Sequence, residues 1–388
     1  MNKSLYVLLL AEFVPVINSN YSIVVVGIAL AGSSVVLIQE AKSACRGSWY
    51  LPAGHVEHHE DLLTAIRREF LEESGLIFEP TGLILVETSH TNWIRFVFVG
   101  DVVGGILKKT ADKESLQAAW VPFIKIEEAE VKHVKGLQLD DSHNLRLRAP
   151  IMRLISQASI SQACASRLDL PPPSVLPAHP DSPLTGVFLR LLIEVRHQAP
   201  LSTTTTAAPL PPEAPLAANT GAHYVISTDT ASRFPLIRVN HRTIKQTILR
   251  FLKLIFSGLG YEVTTRPTTS PNHLLWSPNS TAVLGVEFAG TPRKAVQPTD
   301  GFCLTLFLSL SPPPREPFLG STAATNQHQV LPSWQSQTTC ALATGFLLCR
   351  LWHASGNIIV SLSERDKILL FSLLDLRAGT CCRISLPT

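Results

Sequence analysis

Charge is scarce in this sequence, and so are the cysteine pairs that mark small stapled or zinc-bound domains. Asp, Glu, Lys and Arg make up 16% of the 388 residues and the formal net charge is +3. That excludes a strongly basic nucleic-acid arm as the chain's main feature. The seven cysteines (Cys45, Cys164, Cys303, Cys340, Cys349, Cys381, Cys382) are odd in number and widely spaced, with no C-x-x-C pair. The pattern argues against a disulfide framework or a zinc site and for a reducing compartment. G-x-S-x-G, P-loop and G-x-G-x-x-G motifs are missing too, which leaves several common hydrolase and nucleotide-binding chemistries without support. Long apolar runs are absent as well. Ile23 to Ile38 is interrupted by Gly27, Gly32, Ser33 and Ser34, and reads as two buried strands joined by a turn rather than a membrane span. The N-terminus faintly resembles a signal peptide, with Lys3 and a short apolar run before Glu12, at the lower limit of such segments. The expectation is a cytoplasmic protein with no membrane partner and no nucleic-acid polymer as ligand.

What is present is unevenly distributed. Residues 1–150 hold 14 Lys and Arg against 18 Asp and Glu, a net of −4, while residues 151–388 hold 19 against 12, a net of +7. Of the 28 prolines, 23 follow Pro150. A domain of ordinary composition over residues 20–160 therefore precedes looser sequence. Residues 161–222 read as a linker rich in Pro, Ser, Thr and Ala with one apolar segment, Val187–Val195. Residues 223–310 can form a small α+β unit, and 311–388 form a tail without sustained period, open to disorder. In the first domain, strands are expected over Tyr21–Leu30, Val35–Glu40, Ser48–Leu51, Ile84–Thr88, Trp93–Val99 and Leu116–Val121. A helix is expected from Leu62 to about Ser74, with Leu63, Ile66 and Phe70 on one face and Gly75 as its stop. Another is expected over about Leu147–Gln157, with Pro150 near its start. Further apolar pieces are Ile244–Phe256, which looks helical, Ala282–Phe288 and Gly301–Leu310.

The chemistry concentrates between Gly54 and Leu76. Glu69, Glu72 and Glu73 are spaced i, i+3, i+4, which places three carboxylates within roughly a 100° arc of a helix. Such like charges repel. A hard divalent cation removes that cost, and Mg²⁺ takes oxygen ligands, keeps waters and is completed by substrate phosphates. Arg67 and Arg68 adjoin the cluster, where one can hold a carboxylate or meet a phosphate. Taken alone, the same residues also suit a solvated helix face laced with i, i+4 pairs.

The extended spacing decides between them. Gly54, Glu60, Arg68, Glu69, Phe70, Glu72, Glu73, Gly75 and Leu76 fill every fixed place of G-x5-E-x7-R-E-U-x-E-E-x-G-U, where U is a bulky aliphatic or aromatic residue. The segment is thereby identified as a member of the Nudix family. The resemblance implies an α/β (α+β) domain, the Nudix fold, with a mixed β-sheet sandwiched by helices. It implies Mg²⁺, with Mn²⁺ as an alternative, bound by Glu69, Glu72 and Glu73 and the backbone carbonyl of Gly54. It further implies catalytic roles for Glu69 as the base acting on water, for Glu72, and for Arg68 in orienting the glutamates, with Glu60 as an outer member. Val35–Lys42, Cys45–Gly54, Trp93–Phe98, Gly104–Lys108 and Glu114–Pro122 resemble the branch of the family acting on oxidised guanine diphosphates. That resemblance is close over about residues 20–122 and patchy beyond. It implies cleavage of 8-oxo-dGDP and 8-oxo-GDP to monophosphate and phosphate, a form of nucleotide-pool sanitation. Another nucleotide derivative such as ADP-ribose, or a non-catalytic binding module, are the rival readings.

Base recognition is less marked. Trp49, Tyr50, Trp93 and Trp120 are candidate stacking surfaces, though each also suits a core. Asp140 and Asp141 are candidate acceptors for guanine N–H groups, and Glu114 is a possible extra metal ligand. Related sequences commonly carry Gly immediately before the first glutamate of the box; here the turn is Glu57-His58-His59-Glu60. His55, His58 and His59 read as solvated loop histidines rather than a transition-metal site.

Overall fold

The computed structural model describes residues 13–57, 60–88, 92–134, 145–159, 174–176, 186–196, 222–227, 234–268, 270, 272–278, 281–288, 301–311, 339–342, 346–349 and 383–385. The architecture is α+β, with mixed sheets and few helices. No helix among the described residues is long and apolar enough to cross a membrane.

The N-terminal domain is two packed sheets. β1 (Ser22–Ala31) is the hub of the first: it runs parallel to β6 (Trp93–Gly105) and antiparallel to β4 (Ala53–His55), and β6 pairs antiparallel with β5 (Leu76–Thr88). In the second, β2 (Ser34–Glu40) lies between β3 (Trp49–Tyr50) and β7 (Ser115–Pro122), antiparallel to both. The Ala31–Ser34 turn links the two sheets as a hairpin, its Gly32 at φ 56°. α1 (Leu62–Ser74) packs on one face of the first sheet. Its Phe70 stacks on Phe78 of β5 with ring centroids 4.3 Å apart. A β-carbon on Gly27 of β1 would meet the Phe70 ring at 2.6 Å, so only glycine admits this approach. On the other face, α2 (Phe123–Val134) and a helical stretch over residues 152–159 cover a core of Val26, Ile28, Val97, Val121, Ile126 and Leu154.

That last helix starts later than the sequence pattern placed it. Residues 145–149 lie instead beside β3: the Trp49 N–H donates to Arg146 O (2.7 Å) and the Arg148 N–H to Trp49 O (3.0 Å). Pro150 disfavours helix at Ala149, and Glu130 of α2 then accepts from the N–H groups of Ile151 (2.5 Å) and Met152 (2.8 Å), satisfying two donors at the helix start. β5 and β6 are also longer than the apolar runs that announced them. Pro80 and Gly82 flank one irregularity of that ladder, and the strands continue through it.

Beyond residue 160 the apolar segment expected near Val187 is a central strand. β9 (Gly186–Arg196) runs parallel to β11 (Gly301–Ser311), which pairs antiparallel with β10 (Ala282–Phe288), itself parallel to β8 (Ser174–Leu176). α3 (Ile244–Ser257) covers one face with Ile248, Phe251, Leu252 and Ile255. This unit and the N-terminal domain share one hydrophobic cluster, in which Phe302 meets Phe96 of β6 edge-on at 5.8 Å.

Candidate active site

α1 delivers the acidic side chains, and its ends are fixed locally. Asp61 caps the first turn by accepting the Thr64 N–H (2.7 Å), a favoured N-cap arrangement. Gly75 ends the helix in the left-handed region at φ 76°, its N–H donating to Leu71 O. Lys108 then satisfies a terminal carbonyl, its Nζ donating to Glu72 O (2.8 Å), and Ser115 Oγ donates to Glu73 O (2.6 Å).

Glu69 and Glu73 turn inward, with 8% and 1% exposure, where charged carboxylates are costly unless compensated. Glu73 Oε2 accepts the Ala53 N–H (2.9 Å), and Lys42 Nζ stands 3.9 Å from its other oxygen. Burial outweighs both contacts and pushes the Glu73 carboxyl up to about 8. Burial also raises Glu69, against the opposing pull of Arg68. Gly54, one residue on in β4, sits against the Glu69 carboxylate so closely that no side chain fits there. The strand and the helix are thus brought together by an N–H contact at one glutamate and by a missing side chain at the other.

Arg68 gathers the rest. Its Nε and Nη2 fork onto Glu60 (2.6 and 2.8 Å), Nη1 reaches Glu69 (2.9 Å) and Glu72 (3.1 Å), and Nη2 also donates to His55 O (3.0 Å). Burial disfavours the charged form of Glu60, but the Arg68 fork and the Glu57 N–H prevail and hold its carboxyl below the usual range. That contact bridges Glu57 and Glu60 at 3.0 Å. Arg67 points elsewhere and pairs with Glu79.

The other residues singled out from the sequence scatter. Trp49 and Trp93 are half-buried, and the Arg95 guanidinium lies 5.5 Å over the Trp93 ring. Tyr50 is buried, with Arg148 stacked 5.2 Å from its ring centre. Glu114 pairs with Lys113 (3.2 Å). Asp140, Asp141, His58 and His59 lie outside the described residues. Sequence reasoning missed Lys42, which faces Glu73, and the Glu87–Arg95–Tyr50 chain of contacts. A charged residue at alternate positions of an otherwise apolar strand is the signal that marks Arg95 and Glu87.

Among the described residues no three carboxylate, imidazole or thiol groups form a ready-made metal cage. The donor chemistry nevertheless fits a hard cation: two buried carboxylates that lack full compensation, both oxygen ligands, beside a backbone strand. Mg²⁺ needs only one or two protein carboxylates when waters and phosphates complete its shell.

The helix and the strand packed against it thus bring Gly54, Glu69 and Glu73, residues of the Nudix motif, together. Residues 21–139 match the family model described as NUDIX domain. The segment is similar to mouse and human proteins named 8-oxo-dGDP phosphatase NUDT18, at 52% identity over 94 residues and 51% over 109. Those matches cover 24% and 27% of this chain, and 29% and 34% of the relatives, so the chain spans about a third of the length of these curated relatives. The ADP-ribose pyrophosphatase of Methanocaldococcus jannaschii is 33% identical over 101 residues, 25% of this chain and 60% of that protein.

Proposed function

We propose that the N-terminal domain hydrolyses the diphosphate of oxidised purine nucleosides, 8-oxo-dGDP and 8-oxo-GDP, releasing monophosphate and phosphate with Mg²⁺ as cofactor. The reading is carried by one arrangement: Glu69 and Glu73, buried against the Gly54 strand, in a segment about half identical to proteins named 8-oxo-dGDP phosphatase. Glu69, Glu73 and the Gly54 carbonyl would hold the ion, with Glu72 at the rim. A bound divalent ion supplies charge neutralisation at the phosphates and a more acidic water. Arg68 keeps Glu69 and Glu72 in place, and Glu69 takes the proton of the attacking water. Removal of oxidised nucleotides from a cytoplasmic pool is the role that this chemistry suits.

The test is a panel of 8-oxo-dGDP, 8-oxo-GDP, dGDP and ADP-ribose at fixed Mg²⁺, with products separated by ion-exchange chromatography. Preference for the oxidised guanine diphosphates is expected. Preference for ADP-ribose, the second reading and the one favoured by the archaeal relative, would replace it. Absence of Mg²⁺-dependent turnover of every member of the panel would remove the hydrolase reading, and turnover that Glu73→Gln leaves intact would remove Glu73 from the site.

A further inference from the structure

We infer that Arg95 is the residue that selects a 6-oxopurine, a guanine-type base, over a 6-aminopurine; the inference rests on the proposed diphosphate hydrolysis. The position comes from strand register. His55 of β4 stands opposite Val24 of β1, Val24 is in register with Arg95 of β6, and Arg95 with Glu87 of β5. Two strand spacings therefore separate Arg95 from the residue next to Gly54, roughly 10 Å. Tyr50 lies three residues before Ala53, whose N–H holds Glu73, a separation of at most roughly 10 Å along the chain. Both residues are thus displaced from the acidic cluster by the scale on which a nucleoside separates its base from its phosphates.

The guanidinium is anchored through three of its nitrogens. Its Nε donates to Glu87 Oε2 (2.6 Å), Nη2 pairs with the same carboxylate, and Nη1 donates to Tyr50 Oη (2.6 Å). Glu87 is held in turn by Arg153 (3.1 Å), and the Tyr50 ring lies under Arg148. Three of the five N–H groups of an arginine are then used. The remaining two sit on a side chain that is 21% exposed. Fixed N–H donors suit the O6 acceptor of guanine and oppose the N6 amino group of adenine. Lysine in the same place would lack the planar fork.

The experiment compares wild type, Arg95→Gln paired with Glu87→Gln so that the Glu87 carboxylate does not lose its bidentate partner, and Tyr50→Phe, which removes the Nη1 anchor only. Each is assayed in the full chain with 8-oxo-dGDP, dGDP, 8-oxo-dADP and dADP. Expected is a fall of about ten- to hundredfold in the guanine-over-adenine ratio of kcat/KM for the paired variant and a smaller fall for Tyr50→Phe. The loss should appear in KM more than in kcat. An unchanged ratio overturns the inference, because a merely structural role would weaken all four substrates alike. Should wild type hydrolyse none of them, the hydrolase reading fails separately. Equilibrium binding of the same nucleotides then decides on Arg95: a guanine preference lost in the variants upholds the inference, and equal binding ends it.

Discussion

The β-carbon that Gly54 lacks would fall 1.9 Å from the carboxyl carbon of Glu69 and 2.1 Å from each of its oxygens. The backbone of Gly54 is not in the left-handed region, so what the position requires is space rather than conformational freedom. Gly54→Ala must push the Glu69 carboxylate away or lift β4 from α1. A displacement on the order of 1 Å costs about 10²-fold in rate. The variant is expected to lose that much kcat with 8-oxo-dGDP while its far-ultraviolet circular dichroism stays native. Full activity would mean that Glu69 works from some other position.

Arg68 touches three carboxylates and one carbonyl, a set that a compact ammonium cannot reach together. Arg68→Lys should therefore cost nearly as much activity as Arg68→Gln, about 10–100-fold for the loss of one to two positioned contacts at about 1–2 kcal/mol each. Adding Glu60→Gln to Arg68→Gln removes the carboxylate that the fork neutralises. It should restore thermal stability without restoring turnover. If Lys rescues kcat, the planar fork is not what holds Glu69 and Glu72.

The acidic cluster was legible in the sequence because its geometry is local. An i, i+3, i+4 spacing between Asp61 and Gly75 fixes both the helix and the face it presents, and α1 covers Leu62–Ser74. The strand ends were less so. Pro80 and Gly82 read as punctuation, but in an antiparallel ladder with bulges they are absorbed, and β5 begins at Leu76. α2 was missed although Ile126 and Ala129 are buried at i, i+3, since Glu127, Glu128 and Glu130 give the stretch a charged, loop-like composition. The contacts of Arg95 with Glu87 and Tyr50 span separations of 8 and 45 residues. Only the register of the folded sheets makes neighbours of them.

Lys108 joins the C-terminal end of α1 to the loop before β7. Its Nζ meets Glu72 O and also Asp112 (2.6 Å), and the Asp112 carboxylate further accepts the N–H groups of Glu114 and Ser115. The hydrogen bond from Lys108, supported by the two N–H groups, lowers the Asp112 carboxyl to about 2. A depressed carboxyl stabilises the fold above its unfolded value and loses that contribution as pH falls towards its folded value, here between about 4 and 2. Asp112 is half exposed, so the effect is that of a surface pair, about 0.5–1 kcal/mol. Urea denaturation of Asp112→Asn should show this deficit at pH 7, and the gap to wild type should close as the pH drops below 4. A deficit independent of pH would assign the effect to packing instead.

Glu73 sets stability against function. It is 1% exposed, and its compensation is one N–H and a lysine 3.9 Å away, which is thin for a buried charge. Gln at this position keeps an acceptor for the Ala53 N–H and removes the ionisable group. Without added metal, Glu73→Gln is therefore expected to melt at or above the wild-type temperature at pH 8. With Mg²⁺ and a non-hydrolysable 8-oxo-dGDP analogue the order should reverse: wild type rises, since a ligand that binds only the folded state stabilises it, and the variant stays where it was. Differential scanning calorimetry of the two full-length proteins, each with and without Mg²⁺ and analogue, reads both halves of the argument. A variant that melts lower in every condition would show that Glu73 serves the fold alone.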